Sequence, residues 1–210
     1  MRLGDDRKEY TVGSIEDAVL LADPWLLFCT WLAEYRATGA SDATAFALST
    51  VASNGCPDAR IVLLKDVSDG SLVFYTNYDS KKGQDLAFKP HAHALFFWPA
   101  MERQMRISGP VEKVDAATSD AYFRSRPVGS QRGAIASAQS QPISGRPALE
   151  IQFEAAEAIP EAELKRPAHW GGYTLRAERM EFWQGRPSRM HDRFAFTHSK
   201  SGWSAVRLQP

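Results

Sequence analysis

The sequence predicts an α+β protein in which antiparallel strands form one β-barrel and helices pack on it. Short segments rich in β-branched and aromatic residues lie on both sides of a helical stretch, a pattern typical of a barrel with a helical insert. The dipeptides Asn54-Gly55 and Asp69-Gly70 are strong turn formers, and they separate the first three of these segments. Of the 210 residues, 44% are apolar and 24% are charged, as expected of a globular chain with a substantial core.

The first predicted elements are an N-terminal arm and a helix. Residues 1–13 are polar and mixed in charge, and they are predicted to form the arm. Asp23 is suited to cap a helix, Pro24 to occupy its first turn and Gly39 to end it. Between them an apolar helix face recurs at four-residue spacing, at Leu27, Trp31 and Tyr35.

The remaining elements follow from changes in hydrophobic period. Strands are predicted at 45–51, 60–67, 72–77, 92–98, 104–114, 173–183, 193–197 and 203–208. The first three are predicted to form an antiparallel meander. Ser80 is suited to cap a short helix that ends before Pro90. Further helices are predicted at 115–125 and 147–158, and the polar segment 127–145 between them is a functional loop or a short helix. The chain is therefore interpreted as a single domain, 1–210, with a mainly helical insert at 115–158.

Composition excludes several classes of protein. Lys and Arg total 25 and Asp and Glu total 25, so no net charge favours nucleic acid or an anionic membrane surface. Cys29 and Cys56 suggest no disulfide framework, and no apolar run resembles a signal peptide or a membrane span, so a cytoplasmic protein is expected. Glycine-rich nucleotide-binding motifs, zinc-ligand spacing and a serine-hydrolase elbow are absent, and no metal site is predicted.

Cations accompany two of the predicted strands. Arg60 and Lys65 bracket an apolar strand, and strand alternation predicts that they point to opposite faces. Taken alone, they fit a core strand with a solvated cation at each end. After the strand end at 75–77, Lys81 and Lys82 occupy a predicted helix N-terminus, where backbone N–H groups attract anions. This pattern fits a phosphate cradle and a solvated lysine pair equally well.

A third cluster combines a phenol, a guanidinium and a hydroxyl. Tyr122 and Arg126 are four residues apart on a predicted helix and so share one face, and Ser130 follows just past Pro127. These groups suit a phosphate, because arginine can donate two parallel hydrogen bonds to phosphate oxygens. The alternative is an amphipathic helix whose tyrosine packs inward.

A fourth cluster lies near the C-terminus. If residues 189–193 are extended, then Arg189, His191 and Arg193 lie on one face. Three such groups repel one another unless they bind an anion, so a binding site and a structural histidine are both open. Basic, hydroxyl and aromatic groups on several segments fit the binding of two phosphorylated aromatic molecules.

The sequence resembles the pyridoxine/pyridoxamine 5′-phosphate oxidase family over nearly the whole chain, because these clusters and several further stretches occur in the family's order. The matching stretches are 7–10 (RKEY), 22–24, 60–65 (RIVLLK), 74–77, 102–104, 122–130 (YFRSRPVGS), 139–140, 169–172 (HWGG), 181–186 (EFWQGR), 189–193 (RMHDR) and 207–210. Lys81 and Ile135 depart from the residues expected of the family, arginine and tryptophan.

The resemblance implies a split β-barrel homodimer with flavin mononucleotide (FMN) bound across the subunit interface. By motif, the FMN contacts would be Arg60, Lys65, Tyr75, Thr76, Lys81, Lys82, Gln104, Gln139, Ser140, Trp183 and Arg193. The substrate phosphate would contact Lys65, Tyr122, Arg126 and Ser130. Arg189 and His191 would face the substrate ring as the catalytic pair, and Arg7 and Tyr10 would belong to an arm that covers the pocket.

The implied reaction oxidises pyridoxamine or pyridoxine 5′-phosphate to pyridoxal 5′-phosphate by hydride transfer to FMN. Dioxygen then reoxidises the flavin and yields hydrogen peroxide. Two alternatives stay open: an FMN oxidase of another aromatic metabolite, of the phenazine-biosynthesis type, and a non-enzymatic flavin- or haem-binding split barrel. Retention of Lys65, Tyr122, Arg126 and Ser130 favours the vitamin B6 substrate.

Overall fold

A computed structural model describes residues 8–210, and the fold is the predicted α+β class. Asp23 caps the first helix as predicted, because its side chain accepts hydrogen bonds from the N–H groups of Trp25 and Leu26. Residues 8–210 form five α-helices, α1 Pro24–Ala37, α2 Lys81–Phe88, α3 Ala116–Ser125, α4 Val128–Ala136 and α5 Arg146–Glu157. The same residues form ten strands, β1 Ala45–Val51, β2 Pro57–Leu63, β3 Asp66–Ser68, β4 Ser71–Asn77, β5 His91–Trp98, β6 Arg103–Lys113, β7 Trp170–Arg176, β8 Arg179–Gln184, β9 Asp192–Ser199 and β10 Gly202–Leu208.

The long strand β6 joins two parts of the antiparallel sheet. Its first half pairs with β8 and its last residues pair with β7, while β5 lies along its other side. Gly109 lies where β6 passes from one partner to the other. A Cβ atom there would overlap the carbonyl oxygen of Arg176, so the close approach of the two backbones requires glycine. This division is the split of the barrel.

Strand pairing differs from the predicted meander. β1 and β2 form a hairpin, but β1 then pairs with β5, and β4 pairs with β7 from the far end of the chain. The predicted strand 60–67 is two strands, β2 and β3, and the predicted strand 173–183 is β7 and β8. The meander was wrong because long-range packing decides which strands pair, and a local pattern does not encode it.

Aromatic side chains fill the barrel, and α1 covers one side of it. Phe46, Phe96 and Phe182 are at most 2% exposed. From α1, Phe28 lies 5.2 Å from the Phe96 ring and Trp31 lies 5.2 Å from the Phe182 ring, both edge to face. The apolar face of α1 therefore closes the core, as its four-residue spacing predicts.

The polar segment 127–145 was predicted to be a functional loop or a short helix, and it contains the short helix α4. Cys29 and Cys56 are free cysteines, and both are exposed. Among residues 8–210, no helix is long and apolar enough to cross a membrane.

Candidate functional site

A basic cavity of about 490 Å³ lies between β2, β4 and the helical segment. Four of its lining side chains are cationic, and none of the lining residues in the described part of the chain is acidic. Such a cavity favours an anionic ligand. It brings together nine of the predicted site residues: Arg60, Lys65, Tyr75, Thr76, Lys82, Tyr122, Arg126, Ser130 and Gln139.

Lys65 and Arg60 line the same cavity, so the prediction that they point to opposite faces was wrong. β2 ends at Leu63, before strand alternation reaches Lys65. The Lys65 N–H instead donates to the carbonyl of Val73 at 2.9 Å, which turns the chain towards β4. Alternation applies only within one regular strand, and the strand breaks between the two cations.

Lys82 is the most enclosed cation of the cavity, at 8% exposure. Its Nζ donates to Gln139 Oε1 at 2.8 Å, to Thr76 Oγ1 at 3.2 Å and to Ser80 Oγ at 3.3 Å. Burial lowers the pKa of Lys82, and the nearby Arg60 guanidinium lowers this pKa further. Within residues 8–210 no carboxylate forms a salt bridge with it. A buried ammonium held only by neutral groups is suited to receive an anion.

Arg60 is oriented by a polar network behind the cavity. Its Nη1 donates to the Leu48 carbonyl at 3.0 Å and to Thr50 Oγ1 at 2.8 Å. Thr50 in turn donates to Asp85 at 2.7 Å. Asp85 is 3% exposed and also accepts a hydrogen bond from Lys81. The sequence analysis missed Asp85, although its four-residue spacing from Lys81 on α2 is a typical ion-pair signal.

Lys81 does not line the cavity, because its ammonium pairs with Asp85. Burial alone would raise the pKa of Asp85, but hydrogen bonds from Lys81 and Thr50 outweigh it and lower this pKa. Contact between Lys81 and FMN stays a prediction, and it would require Lys81 to leave Asp85.

The predicted phosphate cluster also lines the cavity. Tyr122 stacks on Tyr75 with ring centroids 3.8 Å apart. Burial raises the pKa of Tyr122, which keeps it a neutral phenol able to donate a hydrogen bond. Arg126 lies one residue beyond α3 in an extended conformation, so the shared helix face was wrong, yet both side chains reach the cavity. Ser130 is in the first turn of α4.

A second group of predicted residues lies on the outer face of β6, β8 and β9. Cross-strand register places Gln104 beside Trp183, and Trp183 beside Arg193. Their neighbours Met105, Phe182 and Phe194 are fully buried in the barrel, so these three side chains point outward. Within the described residues, none of this group lines the basic cavity.

Tyr10 and His191 pack on Trp183. The ring of Trp183 lies 4.7 Å from His191 and 5.6 Å from Tyr10. His191 Nδ1 accepts the Arg186 N–H at 3.1 Å, so its other nitrogen, Nε2, carries the proton of the neutral ring. Burial and the nearby Arg189 lower the pKa of His191, which favours that neutral form. His191 is therefore suited to donate a hydrogen bond from Nε2.

The last three predicted residues are Arg189, Ser140 and Arg7. Arg189 has a positive φ of 62° in a short 3₁₀ turn after β8. Ser140 is exposed, next to Gln139, with φ of 71°. Arg7 lies outside the described residues.

Two family models match the parts of the chain that carry the two groups of site residues. The family model described as pyridoxamine 5′-phosphate oxidase matches residues 33–160. The chain belongs to this family. A second model, described as the pyridoxine 5′-phosphate oxidase C-terminal dimerisation region, matches residues 170–210. The first model covers the residues of the basic cavity up to Gln139, and the second covers the group on β8 and β9.

Curated members of the oxidase family are similar along their whole length. The pyridoxine/pyridoxamine 5′-phosphate oxidase of Herminiimonas arsenicoxydans is 47% identical, with 100% of both chains covered. The pyridoxine/pyridoxamine 5′-phosphate oxidase 1 of Hydrogenovibrio crunogenus is 45% identical, with 98% of this chain and 96% of that protein covered.

Two solved structures share the split-barrel fold. PhzG from Burkholderia lata 383, in complex with tetrahydrophenazine-1-carboxylic acid, has a TM-score of 0.87 at 26% identity, covering 95% of this chain and 100% of that one. A pyridoxamine 5′-phosphate oxidase-related, FMN-binding protein from Nostoc punctiforme has a TM-score of 0.73 at 16% identity, covering 90% of this chain and 99% of that one. The predicted fold class is confirmed, and the single-domain division stays a prediction.

Proposed function

We propose that this chain is an FMN-dependent oxidase that converts pyridoxamine or pyridoxine 5′-phosphate to pyridoxal 5′-phosphate. The observation that carries the proposal is the basic cavity, which four cationic side chains line. Arg60 and Lys82 are assigned to one phosphate, and Lys65 and Arg126 are assigned to a second. Two sets of cations suit two phosphorylated ligands, a cofactor and a substrate. The names of the full-length relatives support the same substrate.

The residues of the cavity fit the phosphate of FMN. Lys82 is buried without a carboxylate partner, and Thr76 and Gln139 hold its ammonium in place. Bound FMN would supply the redox chemistry, namely two-electron oxidation of the substrate with dioxygen as the final acceptor and hydrogen peroxide as its product. The FMN contacts proposed here are Arg60, Lys65, Tyr75, Thr76, Lys82 and Gln139 from the cavity, with Gln104, Ser140, Trp183 and Arg193 from outside it. Lys81 would join them only after leaving Asp85.

The protein contributes binding, orientation and charge. Lys65, Tyr122, Arg126 and Ser130 would hold the substrate phosphate. His191 would donate from Nε2 to a polar group of the substrate ring, and Arg189 would hold that ring against the flavin. Tyr10, which packs on both Trp183 and His191, would cover the substrate, and Arg7 is proposed for the same arm. Fixing two reactants at contact distance is itself a large part of such catalysis.

The two groups of site residues would meet in a homodimer. Outward-facing apolar side chains run across β1, β2 and β5, including Ile61 at 67% exposure and Phe97 at 56%. Ile61 and Leu63 also line the basic cavity, so the cavity opens beside this apolar surface. A second subunit that covers the surface could bring its β8–β9 group to the cavity. The match to a dimerisation region supports this arrangement.

We expect light scattering to report a dimer, because an exposed apolar sheet face is costly in water. An Ile61→Asp variant should be largely monomeric and should bind FMN weakly, since each site would lose the residues supplied by the partner. A Leu26→Asp variant is the control, because Leu26 is also exposed, at 69%, but lies on α1 and outside this sheet face. A monomeric parent protein that holds one FMN per chain would contradict the dimer.

Anaerobic reduction tests the proposed reaction. The protein should purify yellow, with one FMN per chain, and the flavin absorbance should bleach when pyridoxamine 5′-phosphate is added without oxygen. Readmitting air should restore the colour and release hydrogen peroxide and pyridoxal 5′-phosphate. A flavin that stays oxidised with both the amine and the alcohol substrate would refute the proposal. A protein that cannot be reconstituted with FMN would refute the cofactor as well.

The second candidate is an oxidase of an aromatic carboxylate, which the likeness to PhzG favours. The ligand named in that structure carries a carboxylic acid. The arrangement of Lys65, Tyr122, Arg126 and Ser130 around one cavity favours the phosphorylated substrate here. Location in the cytoplasm stays a prediction of the sequence.

A further inference from the structure

A stack of three aromatic rings forms one wall of the basic cavity. The Tyr75 ring centroid lies 3.8 Å from that of Tyr122 and 5.6 Å from that of Trp170. The Tyr122 and Trp170 centroids are 6.2 Å apart, and their planes differ by only 3°. The Arg126 guanidinium lies over the Trp170 ring, with its central carbon 4.5 Å from the ring centroid. Trp170 therefore contacts the arginine that is proposed to bind the substrate phosphate.

Arg126 has no ion-pair partner to set its position. Within residues 8–210, its side chain makes no hydrogen bond and no salt bridge, and its Nη1 is buried without a partner. Burial lowers the pKa of Arg126, and no nearby carboxylate offsets this effect. A guanidinium that stacks on an aromatic face keeps its N–H groups free in the plane of the group. The Trp170 ring thus orients the cation without using the donors that a phosphate needs.

Trp170 is itself held firmly. Its side chain is 6% exposed, and it is the first residue of β7, in register with Asn77 of β4. Its carbonyl accepts a hydrogen bond from Arg166 Nη1 at 2.6 Å, and Arg166 Nε bonds to Asp120 of α3 at 2.5 Å. The backbone of Trp170 is therefore tied both to the barrel and to the helix that carries Tyr122, and its ring packs on Phe123 of that helix at 5.4 Å.

We propose that Trp170 is a positioning residue that holds Arg126 ready for the substrate phosphate and so favours phosphorylated over unphosphorylated substrates. The proposal rests on the proposed function, because it assigns the phosphate of that substrate to Arg126. Trp170 acts through the flat face of its ring. Phenylalanine should therefore replace it in part, and leucine, which has no such face, should not.

Two variants, Trp170→Leu and Trp170→Phe, test the proposal. In the leucine variant, KM for pyridoxamine 5′-phosphate and Kd for pyridoxal 5′-phosphate should rise about 3- to 30-fold, the range of a cation–π contact. kcat/KM for unphosphorylated pyridoxamine and the FMN content should change much less. The phenylalanine variant should lose clearly less than the leucine variant. Trp203→Leu is the matched control, because that tryptophan lies on β10 and does not line the basic cavity.

Coupling to Arg126 distinguishes positioning from a general structural role. Either Trp170 variant should cause little further loss in an Arg126→Ala background, because the group that Trp170 positions is already gone. This coupling is measurable with Trp170→Phe even if the leucine variant does not fold. Fully additive losses, or equal losses on both substrates, would overturn the proposal. Failure of the parent protein to oxidise pyridoxamine 5′-phosphate would instead overturn the proposed function, so the parent is measured first.

Discussion

Lys82→Met is expected to remove most of the affinity for FMN while the apoprotein keeps its fold. The ammonium is 8% exposed and is held by Thr76, Ser80 and Gln139, so it is already placed for an anion. Removing one partner of a buried, hydrogen-bonded charge pair costs about 2–5 kcal/mol, or roughly 30- to several-thousand-fold in Kd. Fluorescence titration of the apoprotein with FMN measures this loss.

Without FMN, the Lys82→Met variant should be at least as stable as the parent protein. Burial lowers the pKa of Lys82, because burial penalises the charged form of the side chain. Methionine is similar in length and carries no charge, so thermal unfolding of the apo variant should occur at the same temperature as the parent or higher. The increase in melting temperature on adding FMN should shrink, because that increase depends on the affinity.

Lys81→Met is the matched control on the neighbouring residue. Lys81 pairs with the buried Asp85 and does not line the cavity, so its loss should lower stability more than FMN affinity. If Lys81→Met weakened FMN binding as much as Lys82→Met, Lys81 would be a direct contact, as the family resemblance implies. An unchanged Kd for FMN in Lys82→Met would place the flavin phosphate elsewhere.

Arg126→Ala is expected to raise KM for the phosphorylated substrate about 10- to 150-fold. The variant removes a charge-assisted hydrogen bond to phosphate, worth roughly 1.5–3 kcal/mol. The substrate phosphate is remote from the reacting carbon, so its contacts are nearly equal in the ground state and the transition state. The loss should therefore appear in KM much more than in kcat. Steady-state kinetics with pyridoxamine 5′-phosphate give both constants.

Unphosphorylated pyridoxine is the control substrate for Arg126→Ala. It should be a poor substrate of the parent protein, and the variant should change its kcat/KM little. FMN content should stay near that of the parent. Equal losses on both substrates would mean that Arg126 is structural, and loss of FMN would assign it to the flavin phosphate. An unchanged KM would favour the alternative oxidase, whose substrate carries no phosphate.

Local chemistry made much of the fold predictable. The bounds of β1 match the predicted strand, and the N-cap and first turn of α1 follow from Asp23 and Pro24, because caps depend on neighbours in the chain. Family motifs identified nine residues that the fold brings into one cavity, including Arg126. The roles of these residues towards FMN and substrate stay predictions.

Caps, turn formers and hydrophobic periods were enough to predict the fold class, most of the elements and the residue types that can bind phosphate. The packed barrel was needed to see which strands pair, that Lys65 joins Arg60 in one cavity, and that Arg126 lies over the Trp170 ring. Caps and hydrophobic periods depend on residues a few positions apart, whereas strand pairing and ring stacking join distant segments. Those contacts form only when β4 and β7 come together in the packed barrel, and a local pattern carries no record of that pairing.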